Sequence, residues 1–223
     1  MSNGRCFENE GVRSYINDLR GGREVLVDHI YCRILQMLFP WEDRFLHERE
    51  EYPAPDSQRR SDVTLSAIIN GRRKKLLVIE TKREFRTSTT EPTEKAWLAA
   101  QWQLIQFCEL VYREQGPLPG NLPLFVAVAI GSHIKFAEFR LLRVASASRT
   151  ERESQVQELT ASFDLTTPEG QERIQSKLEA IKNMIAPVLD SLRPLRVLRY
   201  LYYTDYSTPV KQSLYCETFG IYY

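Results

Sequence analysis

The dipeptide Asn70-Gly71 stands between two strand-like runs, and no other feature of the sequence restricts the fold as much. Before it, Val63, Leu65, Ala67 and Ile69 alternate with Asp62, Thr64 and Ser66. After it, Leu76, Leu77, Val78 and Ile79 are apolar at consecutive positions. Asn-Gly accepts the positive φ angles of a tight hairpin, so the runs are expected to pair antiparallel. A strand apolar on both faces belongs inside a sheet covered on both sides, which requires layers beyond the hairpin. That strand does not fade into a loop. It runs directly into Glu80, Thr81 and Lys82, and the period of two puts Glu80 and Lys82 on one face and Thr81 on the other.

The remaining elements follow from periodicity. Leu26, Ile30, Ile34 and Leu38 recur on one face of a helix predicted over 23–39, which Pro40 ends. The charged, proline-broken stretch 41–60 reads as a surface connection. A long amphipathic helix is predicted over 93–114, then an apolar strand over 124–130 and a Gly131-Ser132-His133 turn. A second strand over 134–144 and a final helix opened by Pro168 complete the pattern. The expected fold class is α/β, a mixed sheet flanked by helices. The 223 residues suit a single domain, with a core of about 23–190 and a tyrosine-rich extension, 191–223, that the pattern does not place.

Register decides whether Asp62 can join Glu80. A strict two-residue loop pairs Ile69 with Arg72 and brings Ser61 opposite Glu80, leaving Asp62 on the wrong face. A three-residue loop of Asn70, Gly71 and Arg72, or a β-bulge in either strand, brings Asp62 opposite Glu80 instead. Any joint chemistry of the two carboxylates therefore requires an irregularity in the hairpin.

An aspartate entering one hairpin strand, Glu80-Thr81-Lys82 closing its partner and a glutamine-bearing helix after them together resemble the PD-(D/E)XK nuclease superfamily. The resemblance covers about residues 23–140. It implies a restriction-endonuclease-like fold and a metal-dependent nuclease that hydrolyses phosphodiester bonds, in DNA ahead of RNA. Asp62 and Glu80 would bind magnesium, with manganese as a substitute, and Lys82 would act beside the attacked phosphate. The short motif Gln103-Leu104-x-x-Phe107 is similar to the family's glutamine motif and implies a positioning role for Gln103, with Gln101 as its neighbour in "QWQ". An acid on the first helix completes the site in relatives; Glu24 is the candidate third metal ligand, with Asp28 one turn later. Ser61 stands where the family often has proline. The literal Pro55-Asp56 is a weaker match, because no apolar alternation follows it. Arg59, Arg60, Arg83 and Arg86 flank the same end of the strands, where phosphate contacts would be needed. The Arg72 to Lys75 run lies at the opposite end of the hairpin and is given no catalytic part.

Physical chemistry agrees with the ligand set: magnesium takes oxygen ligands, keeps several waters and needs only one or two protein carboxylates. A formal charge of +1, from 30 basic and 29 acidic residues, supplies no global pull toward nucleic acid or anionic membranes, so contacts must be local. Cys6, Cys32, Cys108 and Cys216 lack zinc or CxxC spacing and read as reduced thiols. With no secretory signal and no apolar run of about 20 residues, an intracellular protein, nuclear or cytoplasmic and not secreted, is expected. Nucleic acid is the expected partner, with a homodimer admitted and no membrane. Phosphate-binding glycine loops and nucleophile elbows are absent, and His29, His47 and His133 have no ligand spacing. Two rival readings remain: a non-catalytic module of the same fold, and an exposed Glu80–Lys82 pair without function.

Overall fold

The computed structural model describes residues 6–19, 24–51, 61–82, 91–145, 150–156 and 159–192, with the backbone alone for 24–25, 50–51, 141–145 and 150–156. Seven strands form one sheet: β1 (Phe45–Glu51), β2 (Ser61–Ile69), β3 (Arg72–Lys82), β4 (Leu124–Ile130), β5 (His133–Ala145), β6 (Thr150–Val156) and the short β7 (Phe163–Asp164). Their spatial order is β1-β2-β3-β4-β5-β6, with β7 also paired to β5. All neighbours run antiparallel except β3 and β4. That parallel pair needs a crossover, which helix α3 (Glu94–Gln115) supplies. The sheet is thus mixed, as the sequence predicts.

Helices α1 (Glu10–Asp18), α2 (Glu24–Leu38) and α4 (Pro168–Ser191) pack on one face against Val63, Leu65, Leu77, Ile79 and Ala127. Helix α3 covers the other face, with Trp97, Leu104, Phe107 and Cys108 against Val78, Val126 and Val128. All seven residues of β4 are buried, because this strand has helices on both sides. No helix among the described residues is long and apolar enough to cross a membrane.

Four elements depart from the sequence reading, α1, β1, β6 and β7, and for the first two the cause is local. The stretch 41–60 is not wholly a connection: Phe45–Glu51 forms the edge strand β1, in register with β2 from Phe45↔Ala67 to Glu51↔Ser61. Its charges hid it, yet an edge strand tolerates charge, and buried Phe45 anchors it edge-on against Phe39 at 5.1 Å. Helix α1 was not predicted at all; Asn9 caps it, its side chain accepting from the amides of Gly11 and Val12 at 3.0 and 3.3 Å.

The hairpin resolves the register question through a bulge. Asn70 and Gly71 form a two-residue loop with φ of 51° and 72°, and Ile69 pairs with Arg72. The pairing holds to Ser66↔Lys75 and then slips, so that Leu65 faces Leu77 and Val63 faces Ile79. Leu76 is the extra residue. Continued by one step, the new register sets Asp62 opposite Glu80. Gln115, the last residue of α3, sits beside the slip: its side chain accepts from the Lys75 amide at 2.8 Å and donates to the Lys75 carbonyl at 3.0 Å. An amide side chain there takes the place of a neighbouring strand.

Replacing Gln115 with alanine removes both of these bonds, each worth about 1 kcal/mol. The expected result is a lower denaturation midpoint with an unchanged m-value, and faster hydrogen exchange confined to the Lys75 amide and its neighbours. Unaltered exchange at Lys75 would show that the bulge stands without α3.

Candidate functional site

Asp62, Glu80 and Lys82 meet where β2 begins and β3 ends. The Thr81 amide donates to Asp62 Oδ2 at 2.7 Å, so the carboxylate holds the main chain of β3 at its last turn of pairing. Lys82 Nζ donates to Glu80 Oε1 at 2.6 Å and to the Thr81 carbonyl at 2.9 Å, and lies 4.0 Å from Asp62 Oδ2. One ammonium is therefore shared between two carboxylates on the same face. The Glu80 side chain is 7% exposed, Asp62 18% and Lys82 30%, so the group is sunk at its base and open at its mouth.

Burial raises the Asp62 pKa above the ordinary carboxylate value, and the charge of nearby Asp28 pushes the same way; the Thr81 amide and the Lys82 ammonium oppose them. Beneath Glu80 lies the fully buried Cys108 of α3, whose thiol is pushed well above its usual pKa by burial and then by the Glu80 charge. That thiol is not a nucleophile, because attack needs the thiolate.

Thr81 links this group to the opposite face of the sheet. Its hydroxyl donates a short hydrogen bond to Asp28 Oδ1 on α2, and Asp28 Oδ2 lies 3.5 Å from Arg49 Nη2 on β1. Arg49 in turn reaches His29 at 3.3 Å. Sequence reasoning put Glu24 ahead of Asp28 as the acid from this helix. The structure brings Asp28 to the cluster, while the Glu24 side chain lies outside the described residues. A signal for Asp28 was present: it shares a helix flank with Tyr31 and Leu35, three and seven residues on, both fully buried. Arg49 carried no signal, because β1 was not recognised as a strand.

Gln103 is exposed on α3 and makes no described hydrogen bond to the cluster. Gln101 is half-buried one turn from Trp97. Arg59, Arg60, Arg83 and Arg86, like Asp56 and the extension after residue 192, lie outside the described residues. The Arg72 to Lys75 run is more than a solvated tip: Arg73 pairs with Glu48, and Lys74 donates to the Gln115 carbonyl at the end of α3.

No three His, Cys, Asp or Glu side chains among the described residues converge into a ready cage. Two converging carboxylates do fit a hard cation that takes most of its shell from water, which suits magnesium better than zinc or calcium. Compared with protein families, with curated proteins and with solved structures, the chain finds no match in any of the three.

The raised pKa of Asp62 fixes a sign. The folded state binds this proton more tightly than the unfolded chain, so stability from protonated Asp62 is present below the ordinary carboxylate range and is lost as pH rises through the folded value. Asp62→Asn is expected to melt higher than the wild type at neutral pH, the gap closing as pH falls below that range. Scanning calorimetry across pH measures it; an Asn variant that melts lower at neutral pH would show that the ion pair outweighs burial.

The link across the sheet has its own expectation. Thr81→Val keeps the strand-favouring shape but removes the hydroxyl that Asp28 accepts from, at a cost of about 1–3 kcal/mol; Thr81→Ser should restore most of it. Chemical denaturation of the three proteins checks the order.

Proposed function

We propose that the protein is a metal-dependent nuclease of restriction-endonuclease-like architecture that hydrolyses phosphodiester bonds, with DNA as its substrate ahead of RNA. One observation carries this reading: the bulge at Leu76 brings Asp62 onto the face of Glu80 and Lys82, so that two carboxylates and one ammonium meet at an open strand end. A bulge that merely closed a hairpin would not need three ionisable groups at its far end.

Asp62 and Glu80 would hold a magnesium or manganese ion, which when bound supplies a Lewis acid and a bound water of lowered pKa. Asp62 is kept in orientation by the Thr81 amide, and Glu80 by its bond to Lys82. Lys82 is the most exposed member of the set. Its long side chain ends at the open mouth, within reach of a phosphate lying across the strand ends, where an ammonium stabilises the charge that develops on the phosphoryl oxygens. In the free protein the same ammonium neutralises Glu80 and offsets part of the Asp62 charge.

A second reading is favoured by that same ion pair. With Lys82 closing the gap between the carboxylates, the site is also that of a non-catalytic module that keeps the fold in order to bind nucleic acid or protein.

Cleavage of labelled single-stranded, double-stranded and branched DNA and RNA in magnesium or manganese separates the two. Lys82→Ala is expected to lose on the order of 100-fold in rate, as when one oxyanion donor is removed, with folding intact. Asp62→Asn with Glu80→Gln is expected to abolish cleavage together with any rise in melting temperature caused by the metal. Equal cleavage by wild type and Lys82→Ala, or intact binding with no cleavage of any substrate, would overturn the nuclease reading.

A further inference from the structure

A second concavity opens on the α3 face, two strands from the carboxylates. Glu80 pairs with Val128, and Val128 pairs with Lys135, so the three stand in one row across β3, β4 and β5 on one face. Neighbouring strands are about 4.8 Å apart, which sets Lys135 roughly 10 Å from Glu80 at the Cα positions. Lys135 and the α3 residues Glu94, Trp97, Leu98 and Gln101, with Glu91 just before the helix, line a pocket of about 490 Å³.

Its chemistry is selective. Lys135 Nζ sits 4.6 Å above the Trp97 ring, which fixes both groups. Trp97 is 4% exposed, and its indole N–H has no acceptor among the described residues, an unusual condition for a buried donor. Leu98 is 58% exposed at the rim, a large apolar side chain where a solvated helix would carry a polar one. Two carboxylates beside one ammonium disfavour a bare phosphate. They match a flat heterocycle that donates amino hydrogens to carboxylates, accepts from an amide or an indole N–H, and lays its face on apolar carbon.

We infer that this pocket binds an amino-bearing nucleobase, adenine, cytosine or guanine, of an unpaired nucleotide adjacent to the phosphate held at Asp62, Glu80 and Lys82. The inference rests on the nuclease reading for its neighbour, and on the pocket alone for its ligand. Leu98 and Trp97 form the apolar wall, Glu94 and Glu91 accept from the exocyclic amino group, Gln101 supplies a paired donor and acceptor, and Lys135, held over Trp97, donates to a ring nitrogen or carbonyl oxygen of the base. A duplex would have to release the base first, so single-stranded substrate is favoured.

The test uses the full chain and four probes: the 5′-monophosphates of adenosine, cytidine, guanosine and thymidine, titrated with tryptophan fluorescence and NMR as readouts. Asp62→Asn/Glu80→Gln is titrated beside the wild type. The expected result is saturable binding of the three amino-bearing nucleotides in both proteins, at least 10-fold weaker binding of thymidine monophosphate, and a loss of 10-fold or more in Gln101→Ala and Leu98→Asp. These two positions are half-buried and exposed, so the variants are expected to fold; Trp97→Phe, which keeps the ring and removes the donor, adds a third reading. Binding that survives the pocket variants, thymidine bound as well as cytidine, or no binding of any probe would overturn the inference. Because the double carboxylate variant cannot cleave by the proposed route, its nucleotide binding reports on the pocket, and the cleavage assay reports on the nuclease.

Discussion

One inserted residue governs the architecture of the candidate site. Without the slip at Leu76, alternation would direct Asp62 toward the helices α1, α2 and α4, and Glu80 toward α3. With it, the apolar set stays continuous on both faces: Val63, Leu65, Leu77 and Ile79 face one core, and Val78 faces the other. The bulge therefore costs the core little while changing which polar groups can meet. Lys75, just before the bulge, turns its amide and carbonyl away from β2 to the side where β4 has not yet begun, and the end of α3 satisfies both through Gln115. The crossover helix that makes the β3–β4 pair parallel thus also braces β3 beside the slip, two-thirds of the way back along the strand.

Charge at the far end of the strand is balanced locally. Glu80 is nearly buried, and a buried carboxylate without a counter-charge would shed its ionisation; Lys82, two residues on and on the same face, provides the counter-charge from the same strand. Asp62 is stabilised mainly by a main-chain amide, which cannot move away. Thr81 gives that amide a fixed direction because its hydroxyl is tied to Asp28 on the opposite face. Two carboxylates on different sides of the sheet are coupled through a single residue between them. On the α3 face the two carboxylates are held differently, Glu80 by a side-chain ammonium and Asp62 by the main chain.

Much of this was legible in the sequence where local chemistry dictates it. Asn70-Gly71 can hardly be anything but a hairpin, the unbroken apolar run of β4 implies a strand covered twice, and the period of two puts Glu80 with Lys82. The need for a bulge or a longer loop also followed from counting, but its place did not: nothing at Leu76 distinguishes it from Leu77, and the signal lies forty residues away in Gln115. Strand β1 was hidden because charged residues such as Glu48 and Arg49 mask its alternation, and its one strong apolar anchor, Phe45, packs on Phe39 only six residues earlier. With β1 unseen, Arg49 and its hold on Asp28 could not be inferred. Gln103 shows the limit of motif spacing. Its interval to Leu104 and Phe107 matches the expected pattern, yet the helix turns those two inward and leaves Gln103 in solvent.

The amide of Gln115 has a meaning for solubility as well. Strand β3 reaches past the point where β4 begins to pair with it, at Leu77↔Phe125, and such an overhang is a template on which another molecule's strand could grow. Occupying the Lys75 amide and carbonyl with a side chain denies the first bonds of that template. A helix terminus here fills the place that a strand from another copy would take, which is one way a long β-forming strand can be covered where its own sheet does not reach.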